Sequence, residues 1–72
     1  MQSKIDLLDV VALTENLPER NLYRGQVGTV VEFLDERVFE VEFSDTDGQT
    51  YASLALEERQ LMVLHFQPVK VA

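Results

Sequence analysis

The fold is decided by the stretch Leu22-Tyr23-Arg24-Gly25-Gln26-Val27-Gly28-Thr29-Val30-Val31-Glu32-Phe33 and, after a charged break, by Val38-Phe39-Glu40-Val41-Glu42-Phe43. Side chains alternate between the two faces of a β-strand. The second segment therefore predicts a strand with Phe39, Val41 and Phe43 on one face and its glutamates on the other. The glycines and β-branched run of the first segment predict a preceding strand that is entered through a tight turn. Together the two segments predict the central hairpin of a small closed sheet.

Turn residues and apolar runs place the other elements around this hairpin. Strands are predicted over residues 8–13, 26–34, 38–44, 49–56 and 61–66, with a long loop over 14–24 and one helical turn over 57–60. Pro18 disfavours a helix at the preceding residue, and Asp45-Thr46-Asp47-Gly48 is typical of a hairpin turn. This order predicts an all-β, SH3-like barrel of about five strands. It forms a single domain with its core over residues 8–66 and a C-terminal extension over 67–72.

The alternation of the strands also predicts how they pair. With 35–37 as a three-residue loop, the inner pairs are Phe33 with Phe39, Val31 with Val41 and Thr29 with Phe43, and the outer pairs are Glu32 with Glu40 and Val30 with Glu42. Across the next turn, the inner pairs are Val41 with Ala52 and Phe39 with Leu54, and the outer pairs are Glu42 with Tyr51 and Glu40 with Ser53. Both hairpins then bury the same apolar face.

The composition narrows the classes of partner. The chain has 72 residues, no cysteine and a formal net charge of −7, from 13 acidic against 6 basic residues. An acidic domain is repelled by phosphate backbones and anionic lipids, so nucleic acid and membranes are disfavoured and a basic protein partner is favoured. Asp6 and Asp9 interrupt any apolar N-terminal run, and no segment has the ~20 apolar residues of a membrane span. We therefore expect a cytoplasmic protein.

Two resemblances extend this interpretation. The segment Arg24-Gly25-Gln26-Val27-Gly28-Thr29-Val30-Val31 resembles the glycine-bracketed strand entry of KOW-type barrels. A longer pattern is similar to a family of small bacterial proteins labelled a domain of unknown function. It runs through Leu8-Asp9-Val10-Val11-Ala12-Leu13, Leu17-Pro18-Glu19, residues 24–31, Val41-Glu42-Phe43, Asp47-Gly48 and Leu61. That resemblance implies an SH3-like barrel and implies no activity.

The outer acidic row is the first candidate for a functional site. Glu32 is predicted to lie opposite Glu40, with Glu42 two residues further along, and like charges directly opposite one another destabilise a strand pair. We hypothesise that these glutamates, flanked by Val30 and Tyr51, dock a basic protein surface. The alternative is a solvated face whose charge is neutralised by Arg37 or Arg24.

The long loop is the second candidate, because loops on rigid barrels commonly carry function. Its apolar residues are Leu17, Leu22 and Tyr23. We hypothesise that Leu17 and Tyr23 contribute to partner binding, and the plainer alternative is that all three pack over the end of the barrel. A proline-rich ligand is disfavoured because the chain has no Trp and only two Tyr.

No catalytic, cofactor or metal site is predicted. A calcium loop numbered from Gly48 would place Phe43 and Leu54 at ligand positions, and neither side chain can bind a metal ion. The lone His65 has no converging partners, and no serine lies in a nucleophile motif. We therefore predict that the protein is not an enzyme.

Two further hypotheses concern partners. The apolar run between Leu64 and Val71 exceeds what closing a small barrel requires, which suggests a homodimer through these residues. The alternative to a protein-binding module is a KOW-like nucleic-acid-binding or ribosome-associated barrel. The net charge opposes that alternative, and a cluster of Arg20, Arg24 and Arg37 on one side would favour it.

Overall fold

The computed structural model describes residues 4–68 and shows five antiparallel strands in one sheet. The strands are β1 (Val10–Leu13), β2 (Val27–Asp35), β3 (Val38–Ser44), β4 (Thr50–Glu57) and β5 (Leu61–Val63), in the spatial order β4-β3-β2-β1-β5. Short 3-10 turns occupy Pro18–Arg20 in the long loop and Glu58–Gln60 before β5. The predicted fold class is confirmed, including the short helical turn before the last strand.

One face of the sheet encloses a single apolar core to which every strand contributes. Both edge strands take part in it, through Leu54 of β4 and Leu61 of β5. A flat sheet would hold its two edges about 19 Å apart at ~4.8 Å per strand, so a shared core requires the sheet to curl onto itself. The central strand β3 confirms the predicted alternation, because Phe39, Val41 and Phe43 are fully buried.

Half of the predicted register between β2 and β3 is wrong, because β2 contains a β-bulge. Glu32 pairs with Glu40 and Phe33 with Phe39 as expected, but Val30 pairs with Val41 because Val31 is an extra residue on β2. A bulge inserts one residue into one strand and reverses the parity of everything beyond it. The side chains of β2 before Val31 therefore face the opposite side of the sheet to the one predicted.

This reversal moves Val30 from the outer face to the core. Its side chain is 0% exposed, so the prediction that Val30 flanks the acidic row was wrong. Thr29 pairs with Glu42 on the outer face, and Gly28 takes the inner position opposite Phe43. Gly28 suits that position because a β-carbon there would lie 2.7 Å from Cγ1 of Val41, too close for a real contact.

The hairpin between β2 and β3 is tighter than predicted. Asp35 pairs with Val38 across a two-residue turn, and Leu34 is a second extra residue on β2. Phe33 faces Phe39, with ring centroids 5.6 Å apart, yet it is 53% exposed. The reason is that β1 covers only the first part of β2, so the end of this hairpin projects beyond the core.

The pairing of β3 with β4 is displaced by two residues from the prediction. Val41 pairs with Leu54 and Phe39 with Leu56, and on the outer face Glu42 pairs with Ser53. A shift of two preserves the face of every side chain, so the predicted inner and outer sets hold from Ala52 onwards. A bulge between Phe43 and Ser44 then changes the parity at the start of β4.

The first and last strands along the chain are shorter than predicted. β1 begins at Val10 rather than residue 8, since Leu8 has a left-handed φ of 70° that a strand does not accept. β5 ends at Val63 rather than residue 66, although the amide of Leu64 still donates to the carbonyl of Val10. The long loop is confirmed as irregular apart from its 3-10 turn.

Candidate functional site

Three carboxylates lie together on the outer surface of β2 and β3, and we call Glu32, Glu40 and Glu42 the acidic face. Glu32 pairs directly with Glu40, which confirms the like-charge pair predicted from the sequence. Directly opposed side chains have β-carbons about 4.5–5.5 Å apart, and residues two apart on one strand are about 6.6 Å apart. Three negative charges therefore share a small area of exposed or half-exposed sheet.

No cation among residues 4–68 forms an ion pair with the acidic face. Ion pairs lie elsewhere, joining Arg59 to Glu15 at 3.3 Å and to Glu57 at 3.4 Å. Neither Arg24 nor Arg37 pairs with the acidic face in this part of the chain, although neutralisation by these arginines was the alternative interpretation. Within residues 4–68, these three carboxylates therefore have no cationic partner.

The hydrogen bonds of the acidic face come from β4. The hydroxyl of Ser53 donates to Oε2 of Glu40 at 2.7 Å, and the hydroxyl of Thr50 lies 3.5 Å from Oε1 of Glu42. Both carboxylates therefore lean over the outer surface towards β4. These neutral donors orient the carboxylates without cancelling their charge.

Tyr51 is exposed as predicted but does not lie on the acidic face. Its ring packs near Phe43, with centroids 6.4 Å apart, and its hydroxyl accepts a hydrogen bond from the side-chain amide of Gln26 at 3.2 Å. Gln26 has the same parity as Gly28, whose β-carbon position points at core side chains. Tyr51 therefore turns towards the core side at the end of the sheet, because it is the extra residue of the bulge in β4.

Gln26 joins two of the predicted site residues. Its carboxamide oxygen accepts from the amide of Tyr23 at 2.6 Å, while its nitrogen donates to Tyr51. We call Tyr23, Gln26 and Tyr51 the loop cluster. Both tyrosines are about half exposed. The sequence analysis did not single out Gln26. The one signal for it was a polar side chain in the turn before β2, from which it can reach the backbone of that turn.

The long loop is held by its own leucines. Leu17 and Leu22 form an isolated β-bridge, with amide-to-carbonyl distances of 2.8 and 3.1 Å around the 3-10 turn. Leu22 is buried and Leu17 packs against the core. For these two leucines, the structure shows packing against the core. Tyr23 remains the exposed member of the three.

The start of the long loop is tied to the 3-10 turn before β5. Arg59 and Gln60 both contact the carboxylate of Glu15, at 3.3 and 3.1 Å. The hydroxyl of Thr14 donates to the carbonyl of Arg59 at 2.9 Å. Arg59 therefore has two carboxylate partners, Glu15 and Glu57, although its side chain is 65% exposed.

The other arginines do not form one basic surface along β2. Arg24 precedes the start of β2 and Arg37 follows its end, so the two lie at opposite ends of a nine-residue strand. Arg37 lines an open cleft with Glu57, Glu58 and Arg59, where both signs of charge are present. A polyanion approaching this cleft would meet carboxylates as well as guanidinium groups.

Other candidate sites receive no support from the described residues. No group of three or more His, Asp or Glu side chains in residues 4–68 is arranged to hold a metal ion. Within the same range, no helix is long and apolar enough to cross a membrane. His65 is exposed beyond the end of β5. Of the proposed dimer segment, Leu64 is half-buried and Phe66 is 79% exposed, while Val69 and Val71 lie outside the described residues.

Comparison with known proteins gives a family without an assigned activity. A family model described as a domain of unknown function, DUF4926, matches residues 7–63. Searches of curated proteins and of solved structures gave no match.

Proposed function

We infer that this chain, which belongs to the DUF4926 family, is a non-enzymatic protein-interaction module. Its acidic face docks a basic protein surface, and the long loop contributes Tyr23 through the loop cluster. Leu17 contributes indirectly, by holding the loop against the core. Val30 takes no part, because it is buried.

One observation carries this proposal: Glu32 and Glu40 oppose each other across a strand pair, and neither carboxylate forms an ion pair within residues 4–68. Opposed like charges lower the stability of a strand pair by up to about 1 kcal/mol, which is a substantial part of the stability of a small domain. A basic partner would remove that cost on binding. Charge of one sign concentrated on a surface also speeds association with an oppositely charged partner.

The remaining assignments belong to the same proposal. The order of strand, long loop, meander, 3-10 turn and closing strand supports an SH3-like barrel. We further propose that the chain is a bacterial protein of the cytoplasm. The KOW-like alternative is weakened by the separation of Arg24 from Arg37 along β2 and by the net charge of −7. A homodimer through Leu64–Val71 remains a prediction, supported by the exposure of Phe66.

Affinity capture from host extract tests the proposal. The bait is the full chain, compared with a variant that carries Glu40→Lys and Glu42→Lys. We expect one or more basic proteins to be captured by the wild type and lost with this variant. Capture should weaken as salt is raised, because surface charges are screened.

A matched variant controls for net charge. Glu36→Lys with Asp47→Lys, at the two hairpin turns, changes the charge from −7 to −3, as does the first variant, since each reversal adds two units. Both positions are exposed, and neither side chain is part of the acidic face. Equal capture by all three baits would contradict the proposal. Equal loss with both variants would show a dependence on total charge and not on this face.

A further inference from the structure

We propose that the partner binds as an extended strand added to the open edge of β4, with basic side chains at alternate positions reaching Glu40 and Glu42. This inference rests on the proposed function and specifies its binding mode and partner chemistry. It combines two independent features of β4. One is a row of β4 backbone groups that no group in residues 4–68 pairs with, and the other is the direction in which the carboxylates of β3 lean.

The hydrogen bonds around β4 identify which backbone groups are unpaired. The amide of Glu58 donates to the carbonyl of Arg37 at 2.9 Å, across the end of the β3–β4 pair. Residues along an antiparallel strand point their backbone groups alternately towards and away from the partner strand. Leu56 and Leu54 therefore bond to β3, while Ala55 and Ser53 point away from it.

The amide of Glu57 agrees with this assignment. It also points away from β3, and it donates to the side-chain oxygen of Gln60 at 2.8 Å. No described group pairs with the amides or carbonyls of Ser53 and Ala55, and both residues are exposed. As far as residues 4–68 are concerned, four backbone groups in a row are thus available to a further strand.

The edge of β4 carries little of the protection that exposed edges usually have. Natural edge strands are blunted by lysine, proline, short length or a covering element. β4 has eight residues, Thr-Tyr-Ala-Ser-Leu-Ala-Leu-Glu, with no proline, no basic residue and a single charge at its last position. Its bulge, in which Tyr51 is the extra residue, lies at the far end of the strand. The stretch from Ser53 to Ala55 is left open to strand addition.

The acidic face reaches towards this same edge. Glu40 accepts a hydrogen bond from Ser53, and Glu42 lies within 3.5 Å of the Thr50 hydroxyl, so both carboxylates project over β4. The intervening side chains, Ser53 and Ala55, are small. A strand added beside β4 would lie two strand spacings, about 9.6 Å, from the backbone of β3. Lysine or arginine side chains on its outer face would cross these small residues to the carboxylates.

The charge of the domain selects this occupant over a second copy of the chain. Two copies paired edge to edge through β4 would bring together two domains of net charge −7 and two acidic faces. Like charges placed across a contact oppose association. A segment with basic residues at every second position turns the same charges into attraction.

Binding of defined peptides by NMR tests the proposal. The probe is a capped nine-residue peptide in which lysine alternates with threonine, and its control has the same composition with the lysines grouped at one end. We expect the alternating peptide to shift the amide signals of Ser53 and Ala55 and to slow their hydrogen exchange. Replacing Glu40 and Glu42 by glutamine should weaken its binding by about tenfold, as expected for losing charged hydrogen bonds. The pair Glu36→Gln and Asp47→Asn should change it by less than about twofold.

Methylated probes separate strand addition from simple charge attraction. N-methyl groups on one alternate set of peptide amides block the bonds to β4, and on the other set they face solvent. We expect one set to weaken binding by about tenfold or more and the other by less than about threefold, because only the first set loses backbone hydrogen bonds to β4. These probes leave the domain unaltered, so folding does not affect the comparison.

Each contrary result has a separate meaning. Equal weakening by both methylated sets, or no binding of the alternating peptide, overturns strand addition, while the capture experiment still decides the proposed function. Protection of Ser53 and Ala55 that appears without peptide and grows with protein concentration would assign the edge to a second copy and also overturn the proposal.

Discussion

Replacing Gly28 by alanine should destabilise the domain through a steric clash. The added β-carbon would lie 2.7 Å from Cγ1 of Val41, 2.8 Å from the carbonyl oxygen of Glu42 and 3.0 Å from Cδ2 of Phe43. Overpacking a core costs about 1–3 kcal/mol, and the upper part of that range applies because one contact is with a backbone carbonyl. The smaller conformational freedom of alanine in the unfolded chain returns about 0.4–1 kcal/mol. We therefore expect a net loss of about 2 kcal/mol.

Chemical and thermal unfolding measure this loss. In a domain of this size, 1 kcal/mol corresponds to about 4–8 °C, so the melting temperature should fall by about 8–16 °C. Gly48→Ala is the matched control, because Gly48 has a left-handed φ of 80° but no atom within 4 Å of its β-carbon position. It should lose only the conformational cost, about 1 kcal/mol. If Gly28→Ala were no more destabilising than Gly48→Ala, the close approach of β2 to β3 would be refuted.

Three further predictions test the core, the acidic face and the loop network. Leu56→Ala should lower the free energy of unfolding, measured in urea, by about 2–5 kcal/mol, because Leu56 is buried. Leu34→Ala should lower it by less than about 0.5 kcal/mol, because Leu34 is exposed. Similar losses for the two variants would contradict the register. Glu32→Thr should raise the free energy of unfolding in urea by about 0.2–1 kcal/mol, because it removes the repulsion of Glu40. The gain should be larger at low salt. A destabilised variant would mean that the repulsion between Glu32 and Glu40 is already compensated in the folded domain. Arg59→Ala should lower the free energy of unfolding in urea by less than about 1 kcal/mol, because the side chain is 65% exposed. A larger loss would mean that the contacts of Arg59 and Gln60 with Glu15 support the whole fold.

The sequence predicts β3 well because its alternation of apolar and acidic residues is unbroken. Every wrong position in β2 and β4 follows from a bulge or a register shift. Val30 and Val31 are both apolar, so the sequence does not show where parity reverses between them. The sequence does not reveal the two-residue shift of β4 either, since moving Leu54 from Phe39 to Val41 keeps it on the same face of the sheet.

The candidate site shows the same limits. Opposition of Glu32 and Glu40 is predictable, because both lie on the hairpin between the bulges. The position of Tyr51 is not predictable, because the bulge that turns it towards Gln26 has no mark in the sequence. The open backbone of Ser53 and Ala55 also escapes a sequence analysis, which does not show which strand ends a sheet or which amides face outward.

Hydrogen exchange of the domain bound to its captured partner tests the central claim most directly. The comparison is between the free domain and the complex, followed amide by amide along the chain. We predict that slowed exchange will concentrate on β3 around Glu40 and Glu42 and on the adjoining edge at Ser53 and Ala55. Slowed exchange confined to the region of Arg24, with these strands unchanged, would contradict a docking role for the acidic face.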